Sequence, residues 1–176
     1  GHGLFMPLLF LVTLVLVGPA WCSYVCYIGS WDFSAARARR RPKPLPYWTR
    51  HSRVVILASL VGVALGLRLA GVSGMTAAAL GGVFGMLGVG VMVFLSRRNG
   101  AMFHCVAYCP IGLVANLLGK LSPFRMRILK GSCTDCNACT LACRYDALRP
   151  EHIAARRPGL TCTLCGDCLR SCAGGF

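Results

Sequence analysis

The C-terminal part of the chain holds two cysteine runs, Cys133-Thr-Asp-Cys136-Asn-Ala-Cys139-Thr-Leu-Ala-Cys143 and Cys162-Thr-Leu-Cys165-Gly-Asp-Cys168-Leu-Arg-Ser-Cys172. Each run reads C-x2-C-x2-C-x3-C, and the second repeats the first at an offset of 29 residues. With this spacing, three thiolates of a run bind one four-iron cluster, while the fourth Cys binds the cluster of the other run. The repeat therefore predicts two crossed [4Fe-4S] sites related by a pseudo-twofold axis.

The crossing also assigns the ligands of each cluster. Cluster one is predicted at Cys133, Cys136, Cys139 and Cys172, and cluster two at Cys162, Cys165, Cys168 and Cys143. Zinc ribbons also use C-x2-C pairs, but four ligands of one tetrahedral ion do not require this doubled spacing. Disulfide frameworks belong to small domains of oxidising compartments. We therefore expect an α+β, bacterial-type two-cluster ferredoxin domain over residues 121–176.

The rest of the chain is strongly apolar. Of the 176 residues, 56% are hydrophobic and only 14% are charged, whereas about a quarter of residues are charged in soluble domains. Lys and Arg outnumber Asp and Glu by 19 to 5, and the basic residues flank apolar segments rather than a nucleic-acid recognition motif. The composition predicts an α-helical integral membrane domain over residues 1–120, and no nucleic-acid partner.

Three apolar segments, 4–21, 54–72 and 75–95, are long enough to be membrane spans. The short stretch 71–74 predicts a tight turn between the last two. Small residues recur at four-residue spacing on both of these segments, which predicts that the two helices approach closely. These residues are Ala58, Gly62, Gly66, Gly81 and Gly85.

The basic residues indicate the orientation of the spans. The loop at 32–53 carries seven of them: Arg37, Arg39, Arg40, Arg41, Lys43, Arg50 and Arg53. Loops rich in Lys and Arg stay on the cytoplasmic side of a membrane. We therefore expect a multi-pass protein of the bacterial inner membrane with its ferredoxin domain in the cytoplasm, where thiols are kept reduced.

Four further cysteines form a second repeat. Cys22 and Cys26 lie in Cys-Ser-Tyr-Val-Cys-Tyr-Ile-Gly, and Cys105 and Cys109 lie in Cys-Val-Ala-Tyr-Cys-Pro-Ile-Gly, so both copies read C-x3-C-x-I-G. Each copy follows a span that is expected to run inward, which places all four thiols at the cytoplasmic membrane face. They suit an iron or iron–sulfur centre, a redox disulfide or buried packing residues, and the residues leave these alternatives open. The adjacent His104 is expected to be solvated rather than a ligand.

The two cysteine constellations together resemble one known family. Two C-x3-C motifs after apolar helices, followed by a two-cluster ferredoxin motif, are similar to the membrane-bound polyferredoxins that include the NapH, NosR, MauN and CcoG proteins. Pro110 matches the Pro that these proteins carry after the second Cys, whereas Tyr27 stands at that position in the first copy. Members with four spans imply a further helix upstream of residue 1.

The resemblance implies a membrane-anchored electron-transfer subunit. Such a subunit relays electrons between the quinone pool and a partner redox protein, as one component of a larger redox complex such as a quinol dehydrogenase. The cofactors expected from the doubled motif are two [4Fe-4S] clusters, and a third iron or iron–sulfur centre at the membrane face stays one of the alternatives for the four remaining cysteines. The alternative is a redox-active maturation factor for a metalloenzyme or oxidase. The sequence shows no Ser-His-Asp set or paired carboxylates of a hydrolytic enzyme, so no catalytic residues are assigned.

The expected orientation can be tested with reporter fusions. A reporter fused after Gly74 should lie on the outer side, because the basic loop at 32–53 holds the preceding end of the span inside. A reporter fused after Gly131 should lie in the cytoplasm. Alkaline phosphatase and green fluorescent protein fusions report the two sides, and the reverse pattern would contradict the orientation.

Overall fold

The computed structural model describes residues 4–129, 131 and 133–172. Residues 1–3, 130, 132 and 173–176 lie outside the described residues, so parts of both expected domains are not covered. The α-helices are α1 (Phe5–Val17), α2 (Trp21–Tyr24), α3 (Tyr27–Ala36), α4 (Thr49–Leu69), α5 (Gly74–Val91), α6 (Arg97–Asn99), α7 (Pro110–Leu118), α8 (Ala138–Ala142), α9 (Pro150–Ala154) and α10 (Asp167–Arg170). Gly18–Ala20 and Gly119–Leu121 are 3-10 turns, and Met92–Ser96 and His104–Tyr108 are π-helical.

The C-terminal domain is helical and irregular over the residues that are described. It contains the short helices α8, α9 and α10, of which α8 and α10 pack together. No strand occurs in the described part of the chain. The expected α+β character of this domain is therefore not shown, although its two short helices at the cysteine runs are present.

Three helical stretches are long and apolar enough to cross a membrane, Phe5–Ala36, Thr49–Leu69 and Gly74–Asn99. By length and composition these helices agree with the three segments expected to be spans, and each extends beyond its apolar segment at one end or both. Only 17%, 6% and 11% of the residues in the three apolar windows are buried within the chain. Large side chains such as Leu69 and Phe94 are exposed on them. An apolar surface of this extent suits lipid or another subunit.

The connection between α4 and α5 is the expected tight turn. Gly71 has a positive φ of 63°, and the Ser73 hydroxyl caps α5 by accepting the Thr76 N–H at 3.4 Å. The expected close approach of the two helices is wrong within this chain. A Cβ added at any of the four helix glycines would meet no atom within 4 Å, because they border open space: Gly62, Gly66, Gly81 and Gly85.

The C-x3-C-x-I-G repeat builds one kind of turn twice. The second Cys of each copy is the N-cap of the next helix, with nearly equal backbone angles: φ −78° and ψ 115° at Cys26, φ −73° and ψ 113° at Cys109. The glycine of each copy lies against the carbonyl oxygen of the first Cys of that copy. A Cβ would be 2.3 Å from this oxygen at Gly29 and 3.3 Å from it at Gly112. The close approach explains why glycine stands at this position.

The C-terminal domain packs on the ends of the long helices. The Arg144 guanidinium donates to the carbonyl oxygens of Ala36 at 2.9 Å and Gly100 at 2.6 Å, and the Met102 N–H donates to the Arg144 carbonyl at 2.9 Å. Buried Tyr145 shares one apolar core with Met102. The two parts of the chain therefore share a core, which fixes the position of the C-terminal cysteines relative to the C-x3-C copies.

The glycine contact predicts the effect of a small substitution. Gly29→Ala should lower the stability of the protein by roughly 1–3 kcal/mol, because the added methyl group overlaps a backbone oxygen that cannot move away freely. Gly62→Ala is the control, since its Cβ would meet no atom within 4 Å. Thermal unfolding in detergent measures both variants, and equal midpoints for the two would contradict the contact.

Candidate iron–sulfur sites

The two C-terminal runs have the same backbone conformation. The residues directly before and after the second Cys of each run have a positive φ: 52° at Asp135 and 59° at Asn137, 54° at Leu164 and 84° at Gly166. A bulky residue such as Leu rarely adopts this conformation, so the loop shape is imposed by the whole run. Left-handed residues in such turns direct backbone N–H groups into an anion-binding concavity. The loops therefore suit negatively charged thiolate ligands.

The structure brings the last Cys of the second run to the first run. Cys133, Cys136 and Cys139 line one cavity, and Cys172 lines the same cavity. These four are the residues assigned to cluster one from the spacing. Cys168 also borders this cavity, which places the two predicted cluster sites side by side.

The reciprocal arrangement occurs at the second run. Cys143 is buried and lies near Cys162 and Cys165. The pKa of the Cys143 thiol is raised to about 12, chiefly by burial and also by Cys165 and Cys162, and the Ala147 N–H that donates to its sulfur at 3.3 Å opposes the rise. Cys168 lies near the same two cysteines. A bare thiolate at Cys143 is costly, and bound iron would stabilise it.

A single metal ion and a four-iron cluster place different demands on the positions of their ligands. Among residues 4–129, 131 and 133–172, no three His, Cys, Asp or Glu side chains are close enough to hold a single metal ion. A tetrahedral zinc ion requires its sulfur ligands about 2.3 Å from one centre. A four-iron cluster keeps its ligands further apart, because each sulfur binds a different iron atom.

The four remaining cysteines meet at a second cavity. Its volume is about 230 Å³, and all four thiols of the C-x3-C copies line it: Cys22, Cys26, Cys105 and Cys109. Two segments that are far apart in the chain therefore contribute one pair of thiols each. Burial raises the pKa of Cys105 well above its ordinary value and raises that of Cys109. This site too would need a metal centre or a cation to keep its thiolates ionised.

Two buried polar side chains without partners also line this cavity. Arg53 is only 1% exposed, and its Nε and Nη1 atoms have no hydrogen-bond partner. Asn116 is 6% exposed, and its Oδ1 atom likewise has none. Buried polar atoms are nearly always satisfied in proteins, so atoms left unpaired around a cavity point to a group that binds there. The donor set and these atoms fit an iron–sulfur centre.

Side chains of other elements position the second C-x3-C copy. The buried carboxylate of Asp32, on α3, accepts the Cys105 N–H at 3.0 Å, and the Ser52 hydroxyl, on α4, donates to the Ala107 carbonyl at 2.7 Å. His104 is 7% exposed, and its Nδ1 lies 3.0 Å from the Gly88 carbonyl oxygen. The expectation of a solvated His104 is therefore wrong. His104 is buried because Gly88 of α5 packs against it, and the sequence around His104 does not show this contact.

The two cysteine constellations touch each other. The Ser23 hydroxyl donates to the Thr163 hydroxyl at 2.7 Å, and the Tyr24 hydroxyl donates to the Cys165 carbonyl at 2.9 Å. Ser23 and Tyr24 lie inside the first C-x3-C copy, whereas Thr163 and Cys165 lie in the second C-terminal run. The four-cysteine cavity therefore adjoins the second run, where cluster two is predicted.

These helices and cysteine sites define an iron–sulfur protein of the electron-transfer class. Residues 1–45 and 78–128, more than half of the chain, match the family Fer4_5, whose description is 4Fe-4S binding domain. The chain belongs to this family. The matched segments contain both C-x3-C copies and end before the C-terminal runs.

Two curated proteins are similar to parts of the chain. "Putative electron transport protein YccM" of Escherichia coli K12 is 34% identical over 68 residues, which are 39% of this chain and 18% of YccM. "Uncharacterized protein MJ0749" of Methanocaldococcus jannaschii is 26% identical over 74 residues, which are 42% of this chain and 28% of that protein. The matches thus span less than a third of either relative. No solved structure matches the chain.

Crossed ligation predicts which cluster each variant loses. Cys143→Ser should damage the cluster at Cys162, Cys165 and Cys168, because the Cys143 side chain lies with the second run. Cys172→Ser should instead damage the cluster of the first run. Electron paramagnetic resonance of the two reduced variants distinguishes the sites, and loss of the sequence-adjacent cluster in each case would refute the crossing.

Proposed function

We propose that this chain is a membrane-anchored iron–sulfur relay that passes electrons between the quinone pool and a partner redox protein. Its cofactors are two [4Fe-4S] clusters, in a C-terminal domain of the two-cluster ferredoxin type, and a third iron–sulfur centre at the four-cysteine cavity. Such clusters, when bound, supply one-electron carriers whose potentials depend on the surrounding charge, hydrogen bonds and solvent exposure.

The observation that carries this proposal is the contact between the two constellations. Ser23 and Tyr24 hydrogen-bond the second C-terminal run from inside the first C-x3-C copy. Tyr145 and Thr163 belong to the C-terminal domain and also line the four-cysteine cavity. Three adjacent cysteine sites suit a relay, whereas isolated structural metal sites would not need to adjoin one another.

The cysteine sites differ in their exposure to solvent, which suggests different roles in the relay. Cys143 and Cys168 are each 8% exposed, so the protein shields the site of cluster two from water. Cys136 is exposed, so the site of cluster one is open to a partner redox protein. The four-cysteine cavity adjoins the second run and is lined by residues of two helices that are apolar enough to span a membrane. This order favours quinone on the membrane side and a protein partner at cluster one.

The comparisons support the same proposal in two ways. The family match covers the C-x3-C segments and not the C-terminal runs, which favours a cluster at the four-cysteine cavity in addition to those predicted from the doubled motif. The name of YccM refers to electron transport. Membrane anchoring rests on the three apolar helices.

Replacement of one cavity cysteine tests the proposal. Purified wild-type protein should contain about twelve irons, four in each of three centres, and Cys105→Ala should contain about eight. The rate at which a quinol analogue reduces the C-terminal clusters should fall at least tenfold in Cys105→Ala, because the site next to the membrane helices is lost. Iron analysis and stopped-flow absorbance measure the two quantities.

The matched control is Cys136→Ser, which removes a ligand of cluster one and leaves the cavity intact. It should lose iron from the C-terminal domain only. Full iron content and wild-type reduction rates in Cys105→Ala would show that the four cysteines are packing residues. Turnover on copper ions without quinol oxidation would favour a maturation factor over a relay.

A further inference from the structure

Arg53 occupies an unusual place for a residue of the basic segment. It lies in the first turns of α4, is 1% exposed, and lines the four-cysteine cavity. Topology-determining arginines at membrane ends reach water or lipid headgroups through their long side chains. An arginine shielded from both has another role.

The guanidinium group lacks a carboxylate partner in the described part of the chain, where no ion pair involves Arg53. Two of its three nitrogen atoms, Nε and Nη1, are buried without any hydrogen bond. A buried arginine cannot release its proton, so its positive charge must be compensated locally. The ionisable groups that act on it electrostatically are Cys109, Cys22 and Cys105, which line the same cavity.

Asp32 is a second acidic group beside the four cysteines, and it adds to the negative charge that Arg53 would compensate. The carboxylate of Asp32 is fully buried and accepts the Cys105 N–H, and its Oδ1 atom has no partner. Four thiolates beside this group would concentrate negative charge in a cavity screened from water. A positive group in the wall of the same cavity lowers that cost.

We infer that Arg53 is the cation that compensates the negative charge of the iron–sulfur centre at the four-cysteine cavity, and that it raises the reduction potential of that centre. The inference rests on the proposed function, because it requires the third centre. Reduction adds one electron and so makes the centre more negative. A nearby positive charge therefore stabilises the reduced form more than the oxidised form.

Three variants separate charge from shape. Arg53→Gln should shift the reduction equilibrium of the centre toward the oxidised form by at least tenfold, about 59 mV for a one-electron couple. Arg53→Lys keeps the charge and should restore most of the potential. Arg68→Gln is the control, because Arg68 stands on the same helix but is exposed. Its potential should equal that of the wild type.

The measurement is a redox titration followed by electron paramagnetic resonance, in which the centre is identified by the signal that Cys105→Ala lacks. An Arg53→Gln potential equal to that of the wild type overturns the inference and leaves the third centre standing. If Arg53→Gln fails to retain the centre, Arg53→Lys decides: retention of iron supports the charge role, and loss overturns it. If the wild-type protein contains only about eight irons, and Cys105→Ala contains the same number, both the proposed function and this inference are overturned.

Discussion

The hydrogen bond from the Cys105 N–H to the buried carboxylate of Asp32 ties together the two halves of the four-cysteine site. Asp32 lies on the helix that the second Cys of the first copy begins, whereas Cys105 opens the second copy. The two copies are far apart in the chain, so their thiols face one cavity only if a contact of this kind fixes one copy against the other. The glycine of each copy then sets the local turn, because its backbone lies against the first Cys carbonyl.

The four-cysteine site brings two ionisable side chains into the interior of the protein. Asp32 and Arg53 are both almost completely buried and do not form an ion pair with each other. Burial of an unpaired charge costs several kcal/mol even after the protein relaxes. Folding tolerates such a cost where the charges act on a bound group, and both residues border the cysteines that would hold one.

The outer surface of the three long helices is apolar, in contrast to the four-cysteine cavity. The long helices expose large apolar side chains over most of their length, and the glycines of α4 and α5 meet no neighbour within this chain. The polar and charged contacts concentrate instead at the end where the C-terminal domain packs, through Arg144 and Tyr24. The fold thus joins a surface suited to lipid or another subunit to a polar junction that holds the cysteine sites together.

The iron–sulfur character of the protein and its three long apolar helices could be predicted from the sequence, because both depend on local properties. The number of residues between the cysteines of a run limits how they can bind a cluster. Eighteen or more consecutive apolar residues favour a helix long enough to cross a membrane wherever they occur. The family match supports an iron–sulfur cluster, although it ends before the C-terminal runs, and the structure has the three long apolar helices. Crossed ligation remains a prediction, although the structure places Cys172 with the first run and Cys143 with the second.

Only the tertiary structure decided which polar side chains are buried and which residues they contact. Arg53 is the last of the seven basic residues from which the orientation was predicted. In the structure it lies in the wall of the cavity, and its Nε and Nη1 atoms have no hydrogen-bond partner. His104 reads as a surface residue and is buried against the Gly88 carbonyl, while the helix glycines that predicted close packing border open space. In each case the outcome depends on which distant segment comes to lie against the residue, and no local pattern records that segment.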